Sequence, residues 1–107
     1  MEPLLVLTNV PDVAVADKLA HALIESRAAA CVNVLAACRS IYRWRGAVET
    51  ADEIPMLIKT TAASWPQVEA IVRAHHPYEV PELVAVPMTH GLPAYLAWLA
   101  KETEKHD

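Results

Sequence analysis

The sequence has 107 residues, 54% of them hydrophobic and 21% charged, which is enough apolar side chain for one core and unlike a disordered tail. A formal net charge of −4 gives no general attraction for phosphate backbones or anionic lipid, so neither nucleic acid nor membrane is an expected partner. Only Gly46 and Gly91 are available, so neither a P-loop nor a dinucleotide fingerprint can be written in this chain.

Met1-Glu2-Pro3 lacks a basic leader region, and the run Leu4 to Leu7 is too short for a signal segment. No stretch approaches the ~20 apolar residues a bilayer span requires. A cytoplasmic location is the expectation. Leu4-Leu5-Val6-Leu7 predicts a first buried strand, ended by Asn9-Val10-Pro11-Asp12. Asp12 is a natural N-cap, and Ala16, Leu19, Ala20, Leu23 and Ile24 then recur at helical spacing. This predicts a helix to about Ala28.

An extended run from Cys31 to Trp44 follows, turning at Arg45-Gly46 and returning from Val48 to Thr61. Near the turn, Ser40, Tyr42 and Trp44 share one face and Arg39, Ile41, Arg43 and Arg45 the other. Cys31 and Cys38 would then lie roughly 23 Å apart along one strand, so reduced thiols are expected. Pro55 lacks a ladder donor and should sit where one neighbour alone pairs, or at a bulge, with Met56 to Thr60 as the buried part of the strand.

Ser64-Trp65-Pro66-Gln67 reads as a capping box opening a second helix, with Val68, Ile71, Val72 and His75 on one face and Pro77 stopping it near His76. Leu83 to Val86 is a last strand closed by Pro87, and Gly91-Leu92-Pro93 opens a third helix. The charged tail, residues 101–107, is expected to fray. The order β-α-β-β-α-β-α over a single domain, residues 1–107, predicts an α+β ferredoxin-like sandwich: a βαββαβ antiparallel sheet with both main helices on one face, plus a C-terminal helix.

Hairpin strands of about 14 residues reach roughly 46 Å, whereas a helix of about 17 residues covers roughly 26 Å. The ribbon therefore overhangs its own helical layer and carries Tyr42 and Trp44 into the open, which predicts association with other subunits.

In order and spacing, Thr8-Asn9-Val10-Pro11-Asp12, residues 27–33, residues 40–46, Lys59-Thr60-Thr61, His75-His76-Pro77-Tyr78, Val80-Pro81-Glu82 and Tyr95-Leu96-Ala97-Trp98 resemble the CutA divalent-cation-tolerance family, over Leu4 to about Thr103. The resemblance implies a tight homotrimer, similar in assembly to the PII signal-transduction proteins, and a link to cation tolerance and copper(II) or other divalent-cation binding without catalysis. It carries the metal-ligand role to His75 and His76. The family's cysteine ligand falls on Thr8, whose hydroxyl is a poorer donor for a soft ion than a thiolate.

Read from the residues alone, adjacent histidines diverge by about 100° on a helix, so one ion does not take both from one subunit, though copies around a threefold axis would surround one. The alternative has His75 completing the apolar stripe and His76 capping the helix end. The arginines at 39, 43 and 45 suggest an anion or nucleic-acid contact or, more simply at this net charge, ion pairs with Glu49, Asp52 and Glu53 on the returning strand. Glu79 and Glu82 either supply oxygen ligands or stiffen their loop. Cys31 and Cys38 read as core residues, His90 as a turn residue and His21 as a solvated one. Three roles stay open: a metal-binding trimer, a PII-like module taking a small metabolite or an unknown protein partner, and an enzyme, for which no nucleophile-base set can be assembled.

Overall fold

A computed structural model describes residues 1–105. Strand β1 (Pro3–Val10) lies at the centre of the sheet because its alternation is strict: Leu4, Val6, Thr8 and Val10 are buried, and the residues between them half-buried. Helix α1 (Val13–Glu25) begins where expected, with the Asp12 carboxylate accepting from the Val15 amide at 2.9 Å. It ends short of Ala28. Ser26 caps it, Arg27 swings to φ 62°, and the Ala29 amide donates back to the Leu23 carbonyl at 3.1 Å.

The run from Cys31 to Trp44 is two strands, β2 (Cys31–Val34) and β3 (Cys38–Trp44), so the cysteines do not share one strand. The cause is opposite them, in β4 (Ala47–Thr61), which passes through Pro55 without a break. In an antiparallel ladder a residue's amide and carbonyl point to the same neighbour. The Pro55 carbonyl accepts from Leu35 N at 3.0 Å, so the donor that proline lacks is missing on that same side. Pairing with β2 stops at Met56, resumes with β3 at Glu53, and β1 pairs throughout. Met56, Ile58 and Thr60 are fully buried, as the sequence predicts.

After β4, a 3-10 turn (Ala62–Ser64) leads into α2 (Trp65–His75). The capping box does not form. Thr61 takes the role one turn earlier, its Oγ1 accepting from Ser64 N at 3.3 Å, while the Gln67 amide donates to the Ser26 carbonyl at 3.3 Å and ties α2 to the end of α1. Strand β5 (Leu83–Pro87) pairs antiparallel with β1, giving the order β2-β4-β1-β5, and α3 (Pro93–Glu102) closes the chain. This is the α+β ferredoxin-like arrangement read from the sequence. The core joins Ala16, Leu19 and Leu23 of α1 with Val68 and Val72 of α2 over Val6, Met56 and Ile58 of the sheet. Of the tail expected to fray, Lys101 and Glu102 are helical and Thr103 is buried, its hydroxyl donating to the Leu99 carbonyl at 3.0 Å; residues 106–107 lie outside those described.

The β3–β4 ribbon does outrun the helices. It turns through Arg45 (φ 49°) and Gly46 (φ 83°), and the molecule is 44 Å along its longest axis while α1 has only 13 residues. Register puts Ser40, Tyr42, Trp44 and Glu53 on one face of the ribbon and Ile41, Arg43, Val48 and Thr50 on the other. On that second face Ile41 is 67% exposed and Val48 64%. Among the described residues no helix is long and apolar enough to cross a membrane.

Candidate functional site

The two adjacent histidines are parted by the end of α2. His75 is its last residue and stands exposed in solvent, so it does not complete the apolar stripe. His76 leaves the helix with extended backbone (φ −82°, ψ 128°), and its ring turns inward until the residue is only 7% exposed. Nδ1 accepts from the Tyr78 amide at 3.2 Å, which leaves the proton on Nε2, 2.6 Å from the Asn9 carbonyl. The ring also lies 4.6 Å from that of Tyr78. Both nitrogens of His76 are thereby committed to the backbone, whereas the exposed His75 imidazole makes no hydrogen bond among the described residues. Among the described residues no three His, Cys, Asp or Glu side chains gather as a metal-binding group.

Thr8, at the position where the resemblance places a cysteine, is fully buried, and its hydroxyl donates to the Glu82 carbonyl at 2.6 Å. Asn9 donates its side-chain amide to Glu82 Oε1 at 3.4 Å. The segment from Pro77 to Glu82 is thus held at its start by His76 and at its end by Thr8. Of the two readings of Glu82, the stiffened loop is the one these bonds describe.

That loop forms one wall of a cleft of about 630 Å³, whose other wall is the ribbon face carrying Ser40, Tyr42 and Trp44, with Ile41 at the rim. Arg45 crosses from ribbon tip to loop, Nη2 to Glu79 Oε2 at 2.7 Å, and its guanidinium carbon sits 5.2 Å from the centre of the Trp44 ring. This is not the pairing expected of the arginines: among the described residues none of the three forms an ion pair with the returning strand, although Arg39 lies opposite Asp52 in register. Glu53, 8% exposed, borders the cleft with its carboxylate close to the Tyr78 phenol. Burial raises the Tyr78 phenol above its ordinary value of 10.0, and the negative charge of the neighbouring Glu53 carboxylate adds to the rise.

The cleft draws residues from β1, β3, β4 and the loop before β5, and sequence reasoning did not assemble it. The signal available was the alternation that put Tyr42 and Trp44 on one face; nothing local linked that face to Tyr78.

Cys31 has Lys59 Nζ at 4.0 Å from its sulfur, Lys59 also bonding the Asn33 side chain, and Cys38 meets the Ser40 hydroxyl at 3.8 Å. Both are half-buried free thiols. His21 is exposed on α1 with Nδ1 bonded to the Asp17 carbonyl at 2.8 Å, and His90 is exposed in the loop before α3.

Against known proteins, the CutA1 divalent ion tolerance protein family matches residues 4–102. The divalent-cation tolerance protein CutA of Thermus thermophilus is 47% identical over 98 residues, 92% of this chain and 95% of that protein. Mouse protein CutA is 44% identical over 94 residues, 88% of this chain but 53% of its own length, so the chain spans about half of that relative. A solved structure of the Thermus thermophilus divalent cation tolerance protein superposes with a TM-score of 0.93 at 45% identity, covering 95% of this chain and 99% of that one.

Proposed function

From the premise that this chain belongs to the CutA1 divalent ion tolerance family, we propose that it serves cation tolerance as a non-catalytic homotrimer. The trimer takes up divalent ions, copper(II) among them, at positions completed between protomers. The observation that carries this reading is the outlying ribbon: Ile41 and Val48 stand exposed on one of its faces, in the part of the ribbon that outruns the helices. An open edge with apolar side chains is stabilised by a second copy. His75 is then the side chain that symmetry would bring to an ion, since one imidazole per protomer becomes three around an axis. The free thiols of Cys31 and Cys38 suit the reducing cytoplasm.

The test is sedimentation of the purified protein with and without copper(II), paired with calorimetry of His75→Ala. The expected results are a trimer in both conditions and a loss of copper affinity of about tenfold or more in the variant. A well-folded single species of 11.7 kDa at micromolar concentration would overturn the reading.

The cleft favours a second reading, a PII-like module that takes a small molecule and presents the result to a protein partner. Its volume of about 630 Å³ and its mixed aromatic and polar walls suit a metabolite. Thermal-shift screening without metal separates the two readings.

A further inference from the structure

The cleft between ribbon and loop has a sign. Three carboxylates, Glu53, Glu79 and Glu82, border it against one cation, Arg45. Arg45 is already spent on Glu79 at 2.7 Å, and Glu53 has surrendered its exposure to sit beside the cavity. An ionised carboxylate has room for about four hydrogen bonds, so Glu53 keeps accepting capacity toward the cleft. The remaining wall is aromatic: Tyr42, Trp44 and Tyr78. Such faces carry negative quadrupole charge and attract cations within ~6 Å. The protein already uses this wall in that way, since the Arg45 guanidinium lies 5.2 Å from the Trp44 ring centre.

We propose that this cleft binds an organic cation, a protonated amine with an apolar body, its charge against Glu53 and its body on Tyr42 and Trp44. The proposal rests on the second reading above and names its ligand class. A metabolite anion, which the arginine-rich hairpin alone suggests, would meet two uncompensated carboxylates and a guanidinium already paired. A bare metal ion would meet carboxylates that do not converge as a ligand group among the described residues. Arg45 acts as an internal occupant: its charge covers Trp44 and neutralises Glu79, so a ligand cation competes with it.

The experiment uses three probes with the same ring and different charge: phenethylamine, phenethyl alcohol and phenylacetate, titrated into the full-length protein by calorimetry. Phenethylamine is expected to bind about tenfold more tightly than either of the others. Trp44→Leu, at an exposed position that the fold does not need, is expected to weaken it several-fold, and Glu53→Gln about tenfold. Arg45→Ala is the sharper variant. It frees Glu79 and the Trp44 face, so amine affinity rises, whereas a merely structural Arg45 would make it fall. Phenylacetate binding as tightly as the amine, or a loss of amine affinity in Arg45→Ala, overturns the proposal while leaving a small-molecule cleft in place. No heat from any of the three probes overturns both.

Discussion

His76 donates through Nε2 to the Asn9 carbonyl at 2.6 Å, joining the residue after α2 to the end of β1 across 67 positions of sequence. The bond spans from the loop wall of the cleft to the centre of the sheet. Replacing His76 with alanine removes a buried ring, orphans the Asn9 carbonyl and frees the Tyr78 amide, at a cost of about 2–4 kcal/mol. His75→Ala, one residue earlier but exposed, should change stability by no more than about 0.5 kcal/mol. Denaturant unfolding of the two variants side by side checks the contrast, and equal losses would contradict it.

Thr8→Val keeps the shape of a buried side chain and deletes its hydroxyl. The Glu82 carbonyl then loses its partner at 2.6 Å, for a cost of about 1–2 kcal/mol. The loss is local as well as global: hydrogen exchange at the amides of residues 78–80 and 82 should quicken more than in the core of α1. Uniform quickening would mean that Thr8 matters only as core volume.

The sheet order and the first helix were legible because their signals are periodic and local: the alternation of β1, the apolar stripe of α1, and Asp12 ahead of it. What escaped was decided across the fold. The break at residues 35–37 has no breaker of its own, and comes from Pro55 on the facing strand. Ser64 and Gln67 have the spacing of a capping box, yet Thr61 stood one turn earlier and Ser26 offered Gln67 a better acceptor. The histidine pair was read at helical pitch, which holds for His75 and fails for His76, because Pro77 forces the residue before it into extended backbone.

Tyr78 and Tyr95 both have phenols raised above 10.0, chiefly by burial, with Glu53 adding to the first and Cys31 to the second. For a tyrosine, a raised value means the folded state holds its proton longer than the unfolded chain. Their contribution to stability is therefore complete below about pH 10 and is lost as pH climbs from there through the folded-state values. Tyrosinate absorbance should show Tyr78→Phe and Tyr95→Phe each removing a late-titrating phenol. The alkaline decline of stability should be shallower in both variants. A variant that instead removed an ordinary titration would place the raised phenol elsewhere.

Gly46 has φ 83°, and a Cβ built there would meet nothing within 4 Å. Any penalty for Gly46→Ala is consequently a matter of backbone alone, about 1–2 kcal/mol for an L-residue held left-handed. Arg45 beside it already sits at φ 49°. Asparagine at 46, which tolerates this region, should recover part of the loss. Thermal melting of the three proteins gives the order glycine, asparagine, alanine; alanine matching glycine would mean the turn changes type freely.

Val48 lies opposite Arg43 on the ribbon face away from the cleft and is 64% exposed. In an isolated protomer a glutamate there meets water and costs little. Against a partner it would bury a carboxylate whose desolvation the facing Arg43 offsets only in part, at a few kcal/mol per interface. Val48→Glu should thus shift sedimentation from the proposed trimer toward a single protomer while leaving the far-ultraviolet circular dichroism of that protomer unchanged. Amine binding in the cleft belongs to the opposite face of the same two strands, so it should survive dissociation. Dissociation that also abolished amine binding would mean that the cleft is completed by a neighbouring copy, and an intact trimer would mean that assembly uses other surfaces than this ribbon face.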